Sequence, residues 1–242
     1  MAGKENNAFE LIDLDWDTDF FGVKAGKAIL TKSLKEFEWC TLRSCISEYD
    51  FVVIENKNSD PDNARILGTD TSAFIVDTNI QFAKSITICD DYLACINVFE
   101  AMDNNEDIIG MSDYKYSRFL ADPFLRLRGG KGVYSEWLKN SFNMKNKYFA
   151  IYKDVNSNLC GYALFSFSQA ECIIELIAVS NEAKGRGIGE SMFQAVEKTA
   201  IEKKAFRICV GTQSRNIQAI NFYSKVGCRQ VGCHQIFHLW NI

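Results

Sequence analysis

The feature that most constrains the fold is a glycine-rich loop between an apolar run and an amphipathic helix. The run Ile173–Val179 is almost entirely apolar and predicts a buried strand, and the loop 184–189 follows it after four residues. Apolar residues then recur at four-residue steps, as on one face of a helix, at Ile188, Met192, Val196 and Ala200. A helix N-terminus offers unpaired N–H groups and a favourable dipole to an anion. The segment therefore predicts a site for a phosphorylated ligand.

Other interpretations of this loop have to be weighed. A turn that needs flexible residues only to start a helix would have the same sequence, so the loop by itself leaves both interpretations open. The Lys-Ser/Thr ending of a P-loop is missing. The G-x-G-x-x-G spacing of a dinucleotide-binding fold is missing too. These two alternatives are therefore excluded.

A second informative segment is Asn216–Cys228, which follows the predicted strand Phe206–Gly211. Asn216 is a favoured residue for a helix N-cap, and Gly227 is favoured just past a helix end. Seven residues make nearly two turns, so Asn216 and Tyr223 lie on one face of the predicted helix. The segment predicts a helix that presents one tyrosine.

Together the two segments resemble the signature motifs of the GCN5-related N-acetyltransferases, the GNAT family. Val179–Gly189 is similar to motif A, in which a strand ending in Ala-Val precedes Gln/Arg-x-x-Gly-x-Gly/Ala; Lys184 stands where Gln or Arg is usual. Asn216–Cys228 is similar to motif B, N-x-x-A-x-x-x-Y-x-x-x-G-F, with Cys228 in place of Phe. The motif pair covers less than a third of the chain.

The resemblance implies an α/β fold of the GNAT type, with a mixed, mostly antiparallel central sheet flanked by helices. It implies acetyl-CoA as co-substrate, the loop amides holding the pyrophosphate and the strand before the loop bonding the pantetheine arm. The residues it assigns to acetyl-CoA are Leu176, Ile177, Ala178, Val179, Lys184, Gly185, Arg186, Gly187, Ile188, Gly189 and Asn216. It makes Tyr223 the general acid that protonates the CoA thiolate; the alternative is a core tyrosine with a structural hydroxyl.

A narrower resemblance concerns the acceptor. Trp16–Gly22 is similar to the W-(D/E)-x-x-F-F-G segment of the dTDP-4-amino-4,6-dideoxygalactose N-acetyltransferases, and Ser117–Pro123 to their S-R-F-x-x-D-P segment. It implies that a dTDP-amino sugar supplies the amine. Arg118 suits a pyrophosphate, and Phe119 and Tyr134 suit stacking on a base. A solvated loop with core aromatics remains the alternative for these three residues.

The chain organisation follows from the order of predicted elements. Residues 1–84 are expected to form a small α/β subdomain and residues 85–242 the acetyltransferase domain. The first unit contains predicted strands Phe9–Leu14, Val23–Leu30, Phe51–Glu55 and Thr71–Asp77 and helices Leu34–Ser47 and Pro61–Leu67. The second contains predicted strands Ser85–Cys89, Tyr148–Lys153, Cys160–Phe167, Cys172–Val179, Phe206–Gly211 and Gln230–Trp240. Its predicted helices run from Asp90 or Asp91 to Met102, over Ser112–Leu120 and Tyr134–Phe142, from the loop to Lys204, and over Asn216–Val226.

Composition excludes several classes of function. The formal charge of −4, from 27 basic and 31 acidic residues, argues against a general nucleic-acid binder. No run reaches the roughly 18 apolar residues of a membrane span, and the polar N-terminus lacks a signal-peptide core, so a cytoplasmic protein without membrane association is expected. The nine cysteines have no C-x-x-C pair and are expected to be reduced thiols, with no metal bound.

Two alternative functions remain open. One is acetylation of another amine, such as a peptide N-terminus, a polyamine or an aminoglycoside; the other is a catalytically silent acyl-CoA-binding module. Glu175 lies on the strand before the loop, but its position alone does not make it the general base, which stays unassigned. His234 and His238 are expected to be a packed or surface pair. The resemblance is compatible with a homodimer, although no residue pattern shows one.

Overall fold

The computed structural model describes residues 8–86 and 96–241, and its secondary structure divides between the two halves of the chain. The strands of the first half are β1 (Phe9–Asp13), β2 (Ala25–Leu30), β3 (Phe51–Asn56) and β4 (Phe74–Ser85). Its helices are α1 (Asp15–Phe21), α2 (Glu36–Ile46) and α3 (Pro61–Asp70). The second half adds β5 (Ile96–Glu100), β6 (Lys147–Lys153), β7 (Leu159–Ser168), β8 (Glu171–Val179), β9 (Arg207–Gln213) and β10 (Arg229–Trp240). Its helices are α4 (Glu106–Gly110), α5 (Arg118–Ala121), α6 (Pro123–Leu127), α7 (Val133–Ser141), α8 (Ile188–Glu202) and α9 (Ile217–Lys225).

All ten strands belong to one mixed sheet in the order β1-β2-β3-β10-β4-β9-β8-β7-β6-β5. Parallel pairing joins β2 to β3 and β8 to β9, and the other neighbouring pairs are antiparallel. The expected α/β fold, with a mostly antiparallel sheet flanked by helices, is confirmed. None of the helices in the described part of the chain is both long and apolar enough to cross a membrane.

The last strand of each half pairs with a strand of the other half. β4 ends the first half and pairs with β9 of the second, whereas β10 ends the second half and pairs with β3 of the first. β4 and β10 also pair with each other. Each half thus completes the other's part of the sheet, and the domain boundary after residue 84 stays a prediction.

Helices cover both faces of the second half of the sheet. On one face α8 and α9 bury an apolar cluster with the sheet; the predicted stripe Ile188, Met192, Val196 and Ala200 lies in it. On the opposite face α5, α6 and α7 cover two separate clusters. One lies over β3 and β10 and includes Phe119, Val133 and Ile236, and the other lies over β6–β8 and includes Leu138, Tyr162 and Leu176. The gap between these two clusters is where the candidate acceptor side of the site lies.

Some predicted elements are wrong. The predicted helix ending at Met102 is a strand over Ile96–Glu100, because Ile96 and Val98 alternate inward and the segment pairs with β6; its start at 90 or 91 lies outside the described residues. In the predicted helix Ser112–Leu120, only Arg118–Leu120 is helical, since the Ser117 hydroxyl caps a new short helix there.

Several predicted boundaries are wrong as well. The polar stretch 103–107 already contains the start of α4, and α3 passes through Gly68 to Asp70. The strand predicted over 71–77 begins at Phe74 and continues to Ser85, because β9 and β10 pair with it on both sides. The separate strand predicted over 85–89 overlaps it only at Ser85, and residues 87–89 are not described.

Candidate functional site

The sheet opens between its two parallel strands. β8 and β9 pair from Glu171 opposite Arg207 to Ile174 opposite Val210, and β8 then bulges at Glu175. Beyond the bulge β8 continues along β7 and β9 continues along β4, so the two strands separate. The edge of Leu176–Val179 that faces β9 is consequently unpaired by either strand. Such an edge can accept an extended ligand as an added strand.

The glycine loop lies at the far end of this opening, directly after β8. Gly185 and Gly187 have φ values of 78° and 77°, in the left-handed region that favours glycine, and Gly187 is the N-cap of α8. A Cβ on either glycine would meet no atom within 4 Å, so the loop is open to a ligand. Lys184 and Arg186 are exposed beside it, and Lys184 Nζ donates to Asn181 Oδ1 at 2.7 Å. The arrangement can hold an anion on the first turn of α8.

The other predicted cofactor residues lie in the first turns of α8 and α9. Gly189 brings the two helices together, since a Cβ there would lie 3.2 Å from Phe222. Asn216 is the N-cap of α9, as predicted, and its Oδ1 accepts from the Ala219 N–H at 3.1 Å. Ile188 is buried in the core under α8, so it contributes a backbone amide to the loop.

Tyr223 on α9 is buried, with 3% of its surface exposed. Its ring packs against Phe82 and Phe222, at centroid distances of 5.7 and 5.3 Å. Burial raises the pKa of the phenol above its usual value, and the described residues place no hydrogen-bond partner at its hydroxyl. A neutral phenol of this kind is free to donate to an anion that arrives in the opening, and burial of a thiolate would raise the thiol pKa as well.

Glu175 occupies the bulge of β8, and both of its carboxylate oxygens accept hydrogen bonds. Its carboxylate accepts from Lys147 Nζ at 2.5 Å, Ser166 Oγ at 2.5 Å and Trp137 Nε1 at 3.1 Å. Both carboxylate oxygens therefore already accept hydrogen bonds, which leaves little room for a substrate. The geometry therefore gives Glu175 a role in holding the bulge.

The three residues predicted to bind the acceptor come together on the face of α5 and α7. The Arg118 guanidinium carbon lies 4.2 Å from the centre of the Phe119 ring, and Phe119 and Tyr134 have ring centroids 6.1 Å apart. Tyr134 also contacts Tyr114, and the Tyr114 hydroxyl is hydrogen-bonded to that of Tyr162 at 2.6 Å. Phe119 is buried, so it is less accessible for stacking on a ligand than Tyr134, which is partly exposed.

A buried hydrogen-bond network of Asp122, His238 and Trp240 holds Arg118 in place. Arg118 Nη1 lies 3.0 Å from His238 Nε2, and His238 Nδ1 lies 2.6 Å from Asp122 Oδ2, which also accepts from Trp240 Nε1. Burial, together with the Arg118 charge, lowers the pKa of His238 to about 4. The imidazole is therefore neutral at pH 7, donating through Nδ1 and accepting through Nε2. Both ring nitrogens are used, which gives His238 a positioning role.

Sequence reasoning missed the polar residues of β4, because the predicted strand ended at Asp77. The available signal was alternation: Asp77, Asn79 and Gln81 are polar at every second position of a strand whose other residues are largely apolar. It also missed Tyr114 and Tyr162. Among the described cysteines all seven are free thiols, and no group of three or more metal-ligating side chains occurs in the same part of the chain.

One family model and several known proteins are similar to this chain. Residues 115–228 match the model of the acetyltransferase (GNAT) family. The spore coat polysaccharide biosynthesis protein SpsD of Bacillus subtilis (strain 168) is 21% identical over 198 residues, which are 81% of this chain and 68% of that protein. The same organism's protein named "Putative ribosomal protein bS18-alanine N-acetyltransferase" is 28% identical over 113 residues, 44% of this chain and 74% of that protein. The structure of a GCN5-related N-acetyltransferase from Sphaerobacter thermophilus has a TM-score of 0.60 at 11% identity, covering 97% of this chain and 77% of that one.

Proposed function

Because residues 115–228 match the model of the acetyltransferase (GNAT) family, we propose that this acyltransferase moves the acetyl group of acetyl-CoA to the amino group of a nucleotide-linked 4-amino-4,6-dideoxy sugar. The observation that carries the proposal is the opening between β8 and β9, with the glycine loop at its end and Tyr223 packed on Phe82 of β4, the strand next to β9. A pantetheine arm and a pyrophosphate need those two features in that order.

The proposed chemistry uses the backbone first. The pantetheine arm adds to the unpaired edge of Leu176–Val179, and the amides at the start of α8 bind the pyrophosphate, with Lys184 and Arg186 adding charge. A backbone N–H between Ile177 and Val179 polarises the thioester carbonyl. Such a donor acts on charge that develops in the transition state.

The acetyl transfer then needs a neutral amine and a proton donor. The amine nitrogen attacks the thioester carbon, the C–N bond forms, and the C–S bond breaks with its electron pair going to sulfur. The Tyr223 hydroxyl gives its proton to the departing thiolate and regains one from the new ammonium-like nitrogen, directly or through water.

The choice of a sugar acceptor has two supports. SpsD, which resembles 81% of this chain, is named for polysaccharide biosynthesis. The acceptor side presents an arginine and adjoining tyrosines, Arg118, Tyr114 and Tyr134, a combination that suits a ligand with a phosphate and a planar base.

A second candidate is acetylation of a peptide N-terminus, favoured by the 28% identity to the protein named for alanine N-acetylation. The match to that protein covers 44% of this chain, whereas the match to SpsD covers 81%. We therefore place the amino sugar first.

The test is a panel of amines incubated with acetyl-CoA and analysed by mass spectrometry. The panel contains dTDP-4-amino-4,6-dideoxygalactose, its glucose epimer, spermidine, an aminoglycoside and peptides that begin with Ala or Ser. Addition of one acetyl group to a dTDP-amino sugar supports the proposal. Acetylation of a peptide or polyamine alone would refute the sugar acceptor, and binding of acetyl-CoA without any product would favour a silent module.

A further inference from the structure

A strip of polar side chains separates the two apolar clusters on the acceptor face of the sheet. Asn79 and Gln81 on β4 lie opposite Gln213 and Gly211 on β9, on the face away from α8 and α9. Asp77 is two residues before Asn79 and shares this face. A Cβ on Gly211 would lie 3.0 Å from both Asn79 Oδ1 and Gln81 Nε2, so glycine is needed for these amides to cross β9. The strip therefore reaches the strand that borders the opening.

Asp77, at the end of this strip, is a buried carboxylate with one oxygen that accepts no hydrogen bond. It is 5% exposed, and its Oδ1 has no hydrogen-bond partner. Asp17 on α1 also has a buried Oδ1 without a partner. Buried polar atoms in native proteins are nearly always paired, so two orphaned acceptors that both interact electrostatically with Arg118 indicate that a donor is supplied by something else.

Arg118 interacts electrostatically with both of these carboxylates without contacting either. Its charge acts on both Asp17 and Asp77, yet no carboxylate of the described residues lies within ion-pair distance of it, and its hydrogen bond is to His238. The site thus combines an arginine whose remaining N–H groups are available with two carboxylate oxygens that lack donors. A ligand that carries an ammonium together with phosphate or hydroxyl oxygens satisfies all of them at once.

We propose that Asp77 is the general base of this site, taking a proton from the acceptor's ammonium group, while the Asp17 carboxylate and the Arg118 guanidinium orient the same acceptor. The inference rests on the proposed acetyl transfer and names the group which that reaction leaves unassigned. An ammonium has no lone pair with which to attack, so one proton must leave before the C–N bond forms. Asp77 accepts that proton, the amine attacks, and the protonated carboxyl later releases it to water.

Other titratable groups nearby are already occupied. Glu175 is held by Lys147, Ser166 and Trp137, and both ring nitrogens of His238 are hydrogen-bonded. Asp122 accepts from the backbone of Phe124 and Leu125 as well as from two side chains. Asp17 and Asp77 each have an unpartnered buried oxygen, but Asp77 is the more deeply buried residue, at 5% exposed, whereas Asp17 is partly exposed.

The electrostatic surroundings suit a proton acceptor. Burial raises the pKa of Asp77 to about 6, against a backbone hydrogen bond from Thr78 and the charges of Arg215 and Arg118, which lower it. The other titratable groups that face this region are Asp17 on α1, Tyr134 on α7, and His234 and His238 on β10. With a pKa near 6 the carboxylate is ionised at pH 7 yet basic enough to take a proton from a bound ammonium.

The test compares Asp77→Asn with a matched control, Asp62→Asn on the exposed surface of α3. In Asp77→Asn we expect kcat/KM for the acceptor to fall about 100-fold or more, with the Kd of acetyl-CoA unchanged. The acid limb of the wild-type pH profile near pH 6 should disappear. Hydroxylamine is largely neutral at pH 7 and needs no base, so the activity of Asp77→Asn with hydroxylamine should fall far less than its activity with the sugar amine. An equal loss of activity with both nucleophiles, or an acid limb that is retained in Asp77→Asn, would overturn the proposal.

Failure of the substrate assignment is separable from failure of Asp77. If the wild type acetylates another amine of the panel, the sugar acceptor is wrong and the same comparison is made with that amine. If it acetylates none, the role of Asp77 is tested by carboxyl ¹³C NMR of the wild type. The Asp77 resonance is assigned as the one that is missing in Asp77→Asn. A carboxyl that titrates near 6 and whose pKa falls when dTDP-4-amino-4,6-dideoxygalactose is added supports the role, and one that does not respond to any amine refutes it.

Discussion

Arg118 and His238 are joined by a hydrogen bond of 3.0 Å between Nη1 and Nε2, which fixes this arginine, proposed to bind the acceptor, to strand β10. The two residues are 120 positions apart, and Asp122 fixes the tautomer from the other side. Replacing His238 by Phe removes an acceptor from Arg118 and a donor from Asp122. We expect a loss of about 2–4 kcal/mol in the free energy of unfolding, measured in urea. A loss below about 0.5 kcal/mol would contradict this role.

The pH dependence of stability should reveal His238 and Asp77 with opposite signs. The pKa of His238 is lowered from 6.5 to about 4, so between these values the unfolded chain binds the proton and stability falls as the pH falls. The pKa of Asp77 is raised from 3.8 to about 6, so in that window the folded chain binds the proton and stability rises as the pH falls. In Asp77→Asn the decline in stability from pH 6.5 to 4 should therefore be steeper than in the wild type. Urea unfolding at four pH values measures it, and an unchanged slope would count against the raised pKa.

Tyr223→Phe should separate catalysis from folding. The hydroxyl has no hydrogen-bond partner among the described residues and the ring is retained, so the melting temperature should stay within about 2 °C of the wild type. Because the proton donor is lost, kcat should fall about 100-fold while the Kd of acetyl-CoA is preserved. A core tyrosine with a structural hydroxyl would give the reverse result, with stability lost and turnover kept.

A substitution in the glycine loop should weaken binding of acetyl-CoA, and a glycine substitution elsewhere serves as its control. At Gly187, alanine meets no steric contact but must adopt a φ of 77°, which costs about 1–2 kcal/mol and shifts the N–H groups at the start of α8. We expect the Kd of acetyl-CoA, measured by calorimetry, to rise about tenfold. Gly68→Ala, inside α3 and equally free of contacts, should leave binding unchanged and raise stability by about 0.5–1 kcal/mol. Equal binding by the two variants would show that the loop does not hold the pyrophosphate.

The parts of the fold that the sequence could predict are those with a local signal. The strands from Lys147 to Val179 and the helices α8 and α9 follow from hydrophobic period, caps and glycines, all within about 15 residues. The exchange of β4 and β10 has no such signal, because its partners are about 130–180 residues apart and pairing depends on the whole sheet. The strand at Ile96–Glu100 is short, and the helix-capping residue type at 90 or 91 misleadingly favoured a helix.

The candidate site divides in the same way. Glycines and a tyrosine at fixed spacing predicted the side of the site that we propose for acetyl-CoA, since a phosphate loop depends on consecutive residues. The acceptor side depends on side chains from α1, β4, α5 and α7 that meet only after folding. Arg118 was found through a short motif, whereas Asp77 was hidden at the supposed end of a strand and becomes visible through its burial and its unpartnered oxygen.

Glu175 and Asp77 are the two carboxylates from which a base could be chosen, and their variants should behave differently. Glu175→Gln keeps the shape of the bulge but removes the charge that pairs with Lys147 at 2.5 Å. We expect stability to fall by about 1–3 kcal/mol, because a half-buried ammonium loses its partner, while the acid limb of the kcat/KM profile near pH 6 remains. The double variant Glu175→Gln with Lys147→Met should recover part of that stability, since both charges are then absent. Urea unfolding and a pH profile with the acetylated amine measure both effects, and loss of the acid limb in Glu175→Gln would transfer the role of general base from Asp77 to Glu175.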